Sequence, residues 1–411
     1  MAPSIEKTVD PDELGLDPGR LSRIDRHFAQ YVDSERLPGY AVLVSRGGEV
    51  GHFATYGARD REGGKPIADD TVYRIYSMTK PIASVAAMML YEEGRFDLND
   101  PVSAYLPEFA DMQVFSGGSS VTPLLKPASE PMRIWHLLTH TAGLTYGFIY
   151  NHPVDALYRS AGFEWGTPKE ADLAKCCEIW AGLPLVFEPG TSWNYSHATD
   201  VLGRLVEVLS GQSLDDFFAE RIFGRIGMDE TGFYAREDQL ERLAALYLPD
   251  PVTRRAVVSE RMTRLAERPP RVLSGGGGLV STIGDYYRFT RLLLNGGELD
   301  GVRLLGPRTL EYMTRNHLPG NQDIVQFGHP ISVDSEPGVG FGLGFSVVID
   351  AAALKAPASE GEFAWGGAAS TAFWVDPTEE LIVIFMTQLL PSSTHPIRRE
   401  LRRLVYQAIV D

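Results

Sequence analysis

Apolar residues alternate with polar ones near both ends of the chain and recur at intervals of three and four through its middle. After Asp17-Pro18, a helix-opening pair, Leu21, Ile24, Phe28 and Tyr31 follow at helical spacing, and Pro38-Gly39 ends the run. Tyr40 to Ser45 reads as a strand, Gly47-Gly48 as a tight turn and Glu49 to Tyr56 as the hairpin partner. A polar stretch from Asp60 to Asp70 leads through Thr71 to Ile75 into Ser77-Met78-Thr79-Lys80-Pro81. Proline lacks an N–H and fits only the first turn of a helix, so Pro81 places the helix start at about Ser77. The residues behind it (Ile82, Val85, Ala86, Met89 and Leu90, with Ala83, Ala87 and Met88 between) are apolar nearly all round, which predicts a buried helix stopped at Gly94.

From Asp97 to about Glu260 helical patterns dominate. Phe115 to Pro131 holds Gly117-Gly118, three prolines and four serines and reads as a loop. Met132-Arg133-Ile134 opens a helix through Trp135, Leu137 and Leu138 that Gly143 stops, and Asn194 to Leu209 and Leu214 to Phe223 read as helices. Strand signals return at Gly340 to Ile349, Phe363 to Trp365, Thr371 to Val375 and Leu381 to Met386, and Ile397 to Ile409 closes the chain as an amphipathic helix. The fold class is therefore α/β of the α+β type: an antiparallel sheet assembled from both ends of the chain, flanked by terminal helices, with a mostly helical insertion. The expected division is residues 1–90 with 275–411 for the sheet domain and 91–274 for the helical one, with an active site in the cleft between them.

Composition narrows the function. The 411 residues carry 44% apolar and 22% charged side chains, ordinary values for a globular protein. A formal charge of −16 argues against nucleic acid or an anionic membrane as partner. No stretch of 18 apolar residues exists, and Met1 to Lys7 lacks the basic and apolar segments of a signal peptide. The two cysteines, Cys176 and Cys177, are adjacent and support neither a disulfide framework nor a zinc site, so a reduced, cytoplasmic protein is expected.

Ser77 and Lys80, three apart on one helix face, can meet as a nucleophile beside a potential base. Ser-x-x-Lys is too short to decide alone, and a second copy, Ser4 to Lys7, lies in a polar tail with no apolar helix behind it. The Gly-x-Ser-x-Gly elbow is absent, which lowers a Ser-His-Asp reading. Two further stretches qualify. Tyr195, in Trp193-Asn194-Tyr195-Ser196-His197, sits at a loop-to-helix junction from which it can either shuttle protons or pack as a core tyrosine. Trp365-Gly366-Gly367, on a late strand, offers either an ordinary bulge or the close approach of a ligand.

Ser77-Met78-Thr79-Lys80, Tyr195-Ser196-His197 and Trp365-Gly366-Gly367, in that order, resemble the motifs of the serine β-lactamase/penicillin-binding-protein superfamily, most closely its class C-like esterase branch, the family VIII carboxylesterases. The resemblance runs over roughly residues 20 to 405 and includes Ile134 to Leu144, Phe187 to Gly190 and Ser274 to Leu279. It implies a β-lactamase-like fold, Ser77 as the acylated nucleophile, Lys80 with Tyr195 as the proton-transfer pair, and the N–H groups of Ser77 and Ala368 as oxyanion hole. It implies no metal and no cofactor. Two departures define the subclass. His197 stands where the β-lactamases carry the asparagine of Tyr-x-Asn, and Trp365-Gly366-Gly367 replaces Lys-Thr-Gly. Without that lysine to meet a carboxylate, a neutral short-chain ester is the expected partner, with Trp365, Gly366, Gly367 and His197 as substrate-binding residues.

β-Lactam or D-alanyl amide hydrolysis, acyl transfer to another alcohol, and a catalytically silent binding module are the alternatives. His136 and His140, four apart, lack the glutamate of a zinc motif. Ser274 to Gly278 lacks the Lys-Ser/Thr of a phosphate loop. Arg398, Arg399, Arg402 and Arg403 read as the solvated face of the last helix. Phe115 to Pro131 and the aromatic-rich Tyr146 to Glu170 are expected to wall the pocket.

Overall fold

The computed structural model describes Ile5, residues 9–328 and residues 336–411. The reading of the first seven residues, including the second Ser-x-x-Lys, lies outside these apart from Ile5.

The first helix, α1 (Pro18–Asp33), opens where Asp17 accepts the Arg20 N–H at 2.8 Å and buries Leu21, Ile24, Phe28 and Tyr31. It is followed by the hairpin β1 (Gly39–Arg46) and β2 (Glu49–Asp60), the short β3 (Lys65–Pro66), and the helix α2 (Thr79–Glu92). Further along come α3 (Ala198–Ser210), α4 (Ile283–Leu294), the strands β4 (Val339–Phe341), β5 (Ser346–Val348), β6 (Phe363–Gly366), β7 (Ala372–Asp376) and β8 (Leu381–Met386), and the closing helix α5 (Ile397–Tyr406).

The eight strands form one antiparallel sheet in the order β4-β5-β6-β7-β8-β1-β2-β3. The two ends of the chain meet in the β8–β1 pair, with Leu43 opposite Ile384 and Val44 opposite Val383. Every residue of β8 is buried, because both faces are covered. Leu381, Val383 and Phe385 pack with α1 and α5, while Ile382, Ile384 and Met386 face the core built on α2 and α4. Strand alternation thus sends successive β8 side chains into two separate cores. Residues 91–274, between the sheet's two contributions, form mainly helices and short hairpins.

Two expectations are corrected. The stretch read as one strand from Gly340 to Ile349 is two, β4 and β5, joined by a reversal in which Gly344 adopts φ 95°. Any side chain there would also collide with Ser84 of α2. The segment read as a loop from Phe115 to Pro131 contains a hairpin, Gln113–Gly118 paired with Pro123–Pro127. Its prolines sit at the strand ends, and its glycines take positive φ and absorb a register shift, so residues that break regular strands here shape a bulged one.

Candidate active site

Ser77 lies in a single 3-10 turn, Tyr76–Met78, that feeds directly into α2. Tyr76 just before it has φ 42°, a left-handed conformation that costs a bulky residue about 1–3 kcal/mol and persists only where the surroundings enforce it. They do so here. Ile75 N–H is bonded to Leu279 O (3.1 Å), Leu279 N–H to Thr79 Oγ1 (3.2 Å), and Tyr286 OH to Met78 O (3.0 Å).

One turn on, Lys80 is 1% exposed. Its Nζ lies 3.2 Å from Ser77 Oγ, 3.1 Å from Tyr146 OH and 2.6 Å from Gly276 O, and 4.4 Å above the Tyr195 ring centroid. Of the three bonded partners only the carbonyl must receive a hydrogen; the two hydroxyls can give or take. A neutral amine therefore fits the same geometry as an ammonium, with its lone pair turned to the Ser77 hydroxyl. Burial pushes the Tyr146 phenol well above its ordinary range, so it stays protonated. Tyr195 shares the cavity, but among the described residues its hydroxyl is bonded to Trp365 Nε1 (3.3 Å) rather than to Ser77 or Lys80.

The β6–β7 turn faces Ser77 from the sheet. Gly367 leaves no room for a Cβ, which would overlap the carbonyl oxygen of Ile75. Ala368, next in the chain, lines the same cavity as Ser77. Among the described residues, neither the Ser77 nor the Ala368 N–H takes part in the backbone hydrogen bonds of turns and loops. Ser77, Tyr195, Trp365, Gly366, Gly367 and Ala368 all line a cavity of about 430 Å³. Phe148 and Trp165, stacked at 4.6 Å, form part of its wall, as expected of the 146–170 segment; the 113–127 hairpin contributes no lining residue.

His197 is placed elsewhere. It lies behind Tyr146, edge-on at 4.3 Å, stacked on Trp180 at 4.4 Å, and does not line the cavity. Its Nδ1–H donates to Asp200 (2.8 Å). Asp200 also accepts from Ser274 Oγ (2.5 Å) and from the N–H of Gly276 (2.9 Å), whose carbonyl holds Lys80. Burial raises the Asp200 carboxyl, but the bonds from His197 and Ser274 outweigh it, so the group is held below its ordinary range. Sequence reasoning missed Asp200 and the Gly276 carbonyl. The signal available was Asp200 three residues after His197 on a helix, which carries no hint of the glycine loop it grips.

A beta-lactamase family profile matches residues 24–407. The chain belongs to the beta-lactamase family. Its relatives include esterase EstB of Burkholderia gladioli, 32% identical over 420 residues that span 97% of this chain and 98% of EstB. Among solved structures, EstCE1, described as a hydrolase with promiscuous acyltransferase activity, superposes with a TM-score of 0.80 at 27% identity, covering 96% of this chain and 99% of its own. Simvastatin synthase LovD from Aspergillus terreus superposes with a TM-score of 0.79 at 25% identity, covering 95% and 98%. This beta-lactamase-fold protein is thus a member of a serine hydrolase family with esterase and acyltransferase relatives.

In this beta-lactamase fold His136 and His140 are hydrogen-bonded within the protein. His136 Nδ1 accepts the Arg133 N–H (3.0 Å), and His140 Nδ1 is paired with Ser196 Oγ (3.2 Å). Among the described residues, no group of His, Cys, Asp or Glu is arranged to hold a metal ion, and no helix is long and apolar enough to cross a membrane. Burial pushes His136 down to about 4 and lowers His140, His197, His317 and His395 as well. These imidazoles stay neutral in the fold, whereas the unfolded chain binds protons below about pH 6.5. Stability is accordingly expected to fall as pH drops from about 6.5 toward 4. Thermal melts at constant ionic strength check this, and a Tm that is flat across that window contradicts it.

Proposed function

We propose that this protein is a carboxylesterase of the Ser-x-x-Lys type, akin to the family VIII enzymes, that cleaves short-chain neutral esters through an acyl group on Ser77. The observation that carries the reading is the 3.2 Å contact between Lys80 Nζ and Ser77 Oγ at the edge of an aromatic-lined cavity. Neutral Lys80 takes the Ser77 proton as Oγ attacks the acyl carbon. The Ser77 and Ala368 N–H groups receive the oxyanion as the tetrahedral intermediate forms. On collapse the alcohol leaves with a proton from the Lys80/Tyr195 pair, Tyr195 being oriented by the Trp365 N–H. Water then repeats the sequence on the acyl carbon and frees Ser77. Trp365 presents an indole where a β-lactamase of this type carries a lysine, which favours a neutral substrate over one bearing a carboxylate. The same acyl-enzyme serves an alcohol in place of water, and acyltransferase relatives favour keeping that outcome in the test.

The test is intact-protein mass and chromophore release on mixing with p-nitrophenyl butyrate, in parallel with a chromogenic cephalosporin and with added short alcohols. Nitrophenol release with a butyryl adduct on the Ser77 peptide, and little cephalosporin turnover, is the expected result. Faster cephalosporin turnover makes the protein a β-lactamase instead. No reaction and no adduct leaves a silent binding module.

A further inference from the structure

The arginines of α5 do not form one solvated face. Arg399 and Arg403 are exposed, but Arg398 and Arg402, four apart, turn toward the sheet. Arg402 pairs with the fully buried Glu362 on the approach to β6. Arg398 lies across the back of the β6–β7 turn. Its guanidinium fills the space a side chain at Gly366 would need, and its Nη2 donates to Gly367 O (3.0 Å) and Thr371 O (3.1 Å).

Those two carbonyls are the ends of the turn that carries Ala368. Gly367 N–H is bonded to Thr371 O (2.9 Å) and Ser370 N–H to Gly367 O (3.1 Å), so Arg398 braces a turn that is already closed on itself. The covalent arrangement matters more. Gly367 C=O and Ala368 N–H belong to one peptide group. A donor on that oxygen draws electron density through the amide and strengthens the N–H on its other side, and a charged donor does so most. The Gly367 oxygen receives two N–H groups, one of them from a guanidinium. The residue also occupies the first turn of α5, where the helix dipole disfavours a cation, and the two carbonyl contacts offset that cost.

We infer that Arg398 is a positioning and polarising residue of the oxyanion hole, acting from the far face of the sheet through the Gly367–Ala368 peptide. Its side chain also borders the cavity, but it bonds the Gly367 and Thr371 carbonyls, and the inference rests on the proposed acyl-Ser77 chemistry with Ala368 N–H as a hole donor. Its effect falls on the transition state, when charge develops on the acyl oxygen, so it belongs in kcat rather than KM.

The test uses the full chain with Arg398→Met and Arg398→Lys, and p-nitrophenyl butyrate labelled with carbon-13 at its carbonyl. Infrared difference spectra during turnover report the ester carbonyl stretch of acyl-Ser77. A weaker hole polarises that carbonyl less, so the band is expected to move to higher wavenumber in Arg398→Met, with Arg398→Lys between it and wild type. In the same order kcat is expected to fall, by roughly 10-fold for methionine, a fraction of what losing a whole oxyanion donor costs. KM is expected to change little. If Arg398→Met does not fold, the lysine variant decides by the same readout. An adduct whose carbonyl band and kcat match wild type in the folded variant overturns the inference while leaving the esterase reading intact. Absence of any adduct on wild-type Ser77 overturns both.

Discussion

Ser77→Ala is expected to lower kcat for p-nitrophenyl esters by roughly 10⁴-fold or more without altering the fold, and Lys80→Met by nearly as much. The double variant is expected to be no worse than Ser77→Ala alone. The reason is that in the proposed mechanism the two side chains work through one proton. Without Oγ there is nothing for the amine to deprotonate, and without the amine the hydroxyl is a poor nucleophile. The variants differ in their structural cost. Ser77 is partly exposed, and losing its hydroxyl leaves the buried Lys80 with Tyr146 and the Gly276 carbonyl as partners. Losing Lys80 instead strands that carbonyl, which costs about 1–3 kcal/mol. Steady-state kinetics on the two single variants and the double variant, with thermal melts alongside, form the cycle. Losses that multiply in the double variant mean the two groups act independently and remove the proton-transfer pair from the mechanism.

Ser77 and Lys80 were legible because their placement is local: Pro81 fixes a helix start, and three residues separate the pair on one face. The central strand Leu381–Met386 was legible for a similar reason, as a continuous apolar run bounded by polar turns. What escaped depends on contacts made across the chain. Tyr146 bonds Lys80 from 66 positions away and Gly276 from 196. Nothing near either residue marks that meeting. Arg398 shows the same limit from the other side. Helical spacing groups four arginines, but which two face water depends on the sheet beneath them. Period-2 alternation from Phe341 to Ile349 also concealed a reversal, because the glycines that make it possible occupy the polar positions of the pattern. His197 followed from its place in a motif, and the fold turned it toward Trp180 and Asp200 rather than the cavity.

The β6–β7 turn offers the second large effect, since its two glycines are crowded by different kinds of neighbour. Neither Gly366 nor Gly367 has a positive φ, so alanine suffers no backbone conflict of its own at either site. At Gly366 the new methyl meets the guanidinium of Arg398, the end of a long side chain that can swing aside. At Gly367 it meets Thr371 Oγ1, which can rotate, and the main-chain oxygen of Ile75, which cannot yield without moving the turn that carries Ser77. Gly367→Ala is therefore expected to push the Ala368 N–H away from the nucleophile and lower kcat by roughly 10²- to 10³-fold, the cost of losing one oxyanion donor. Overpacking at this buried site adds about 1–3 kcal/mol of destabilisation. Gly366→Ala is expected to resemble the Arg398 variants instead, with a smaller loss in kcat and the same direction of carbonyl shift, because it dislodges the guanidinium and leaves the turn in place. Kinetics and acyl-carbonyl spectra of the two alanine variants separate the cases. If Gly367→Ala keeps kcat near wild type while folded, Ala368 does not supply the donor, and the hole must be assigned elsewhere around Ser77.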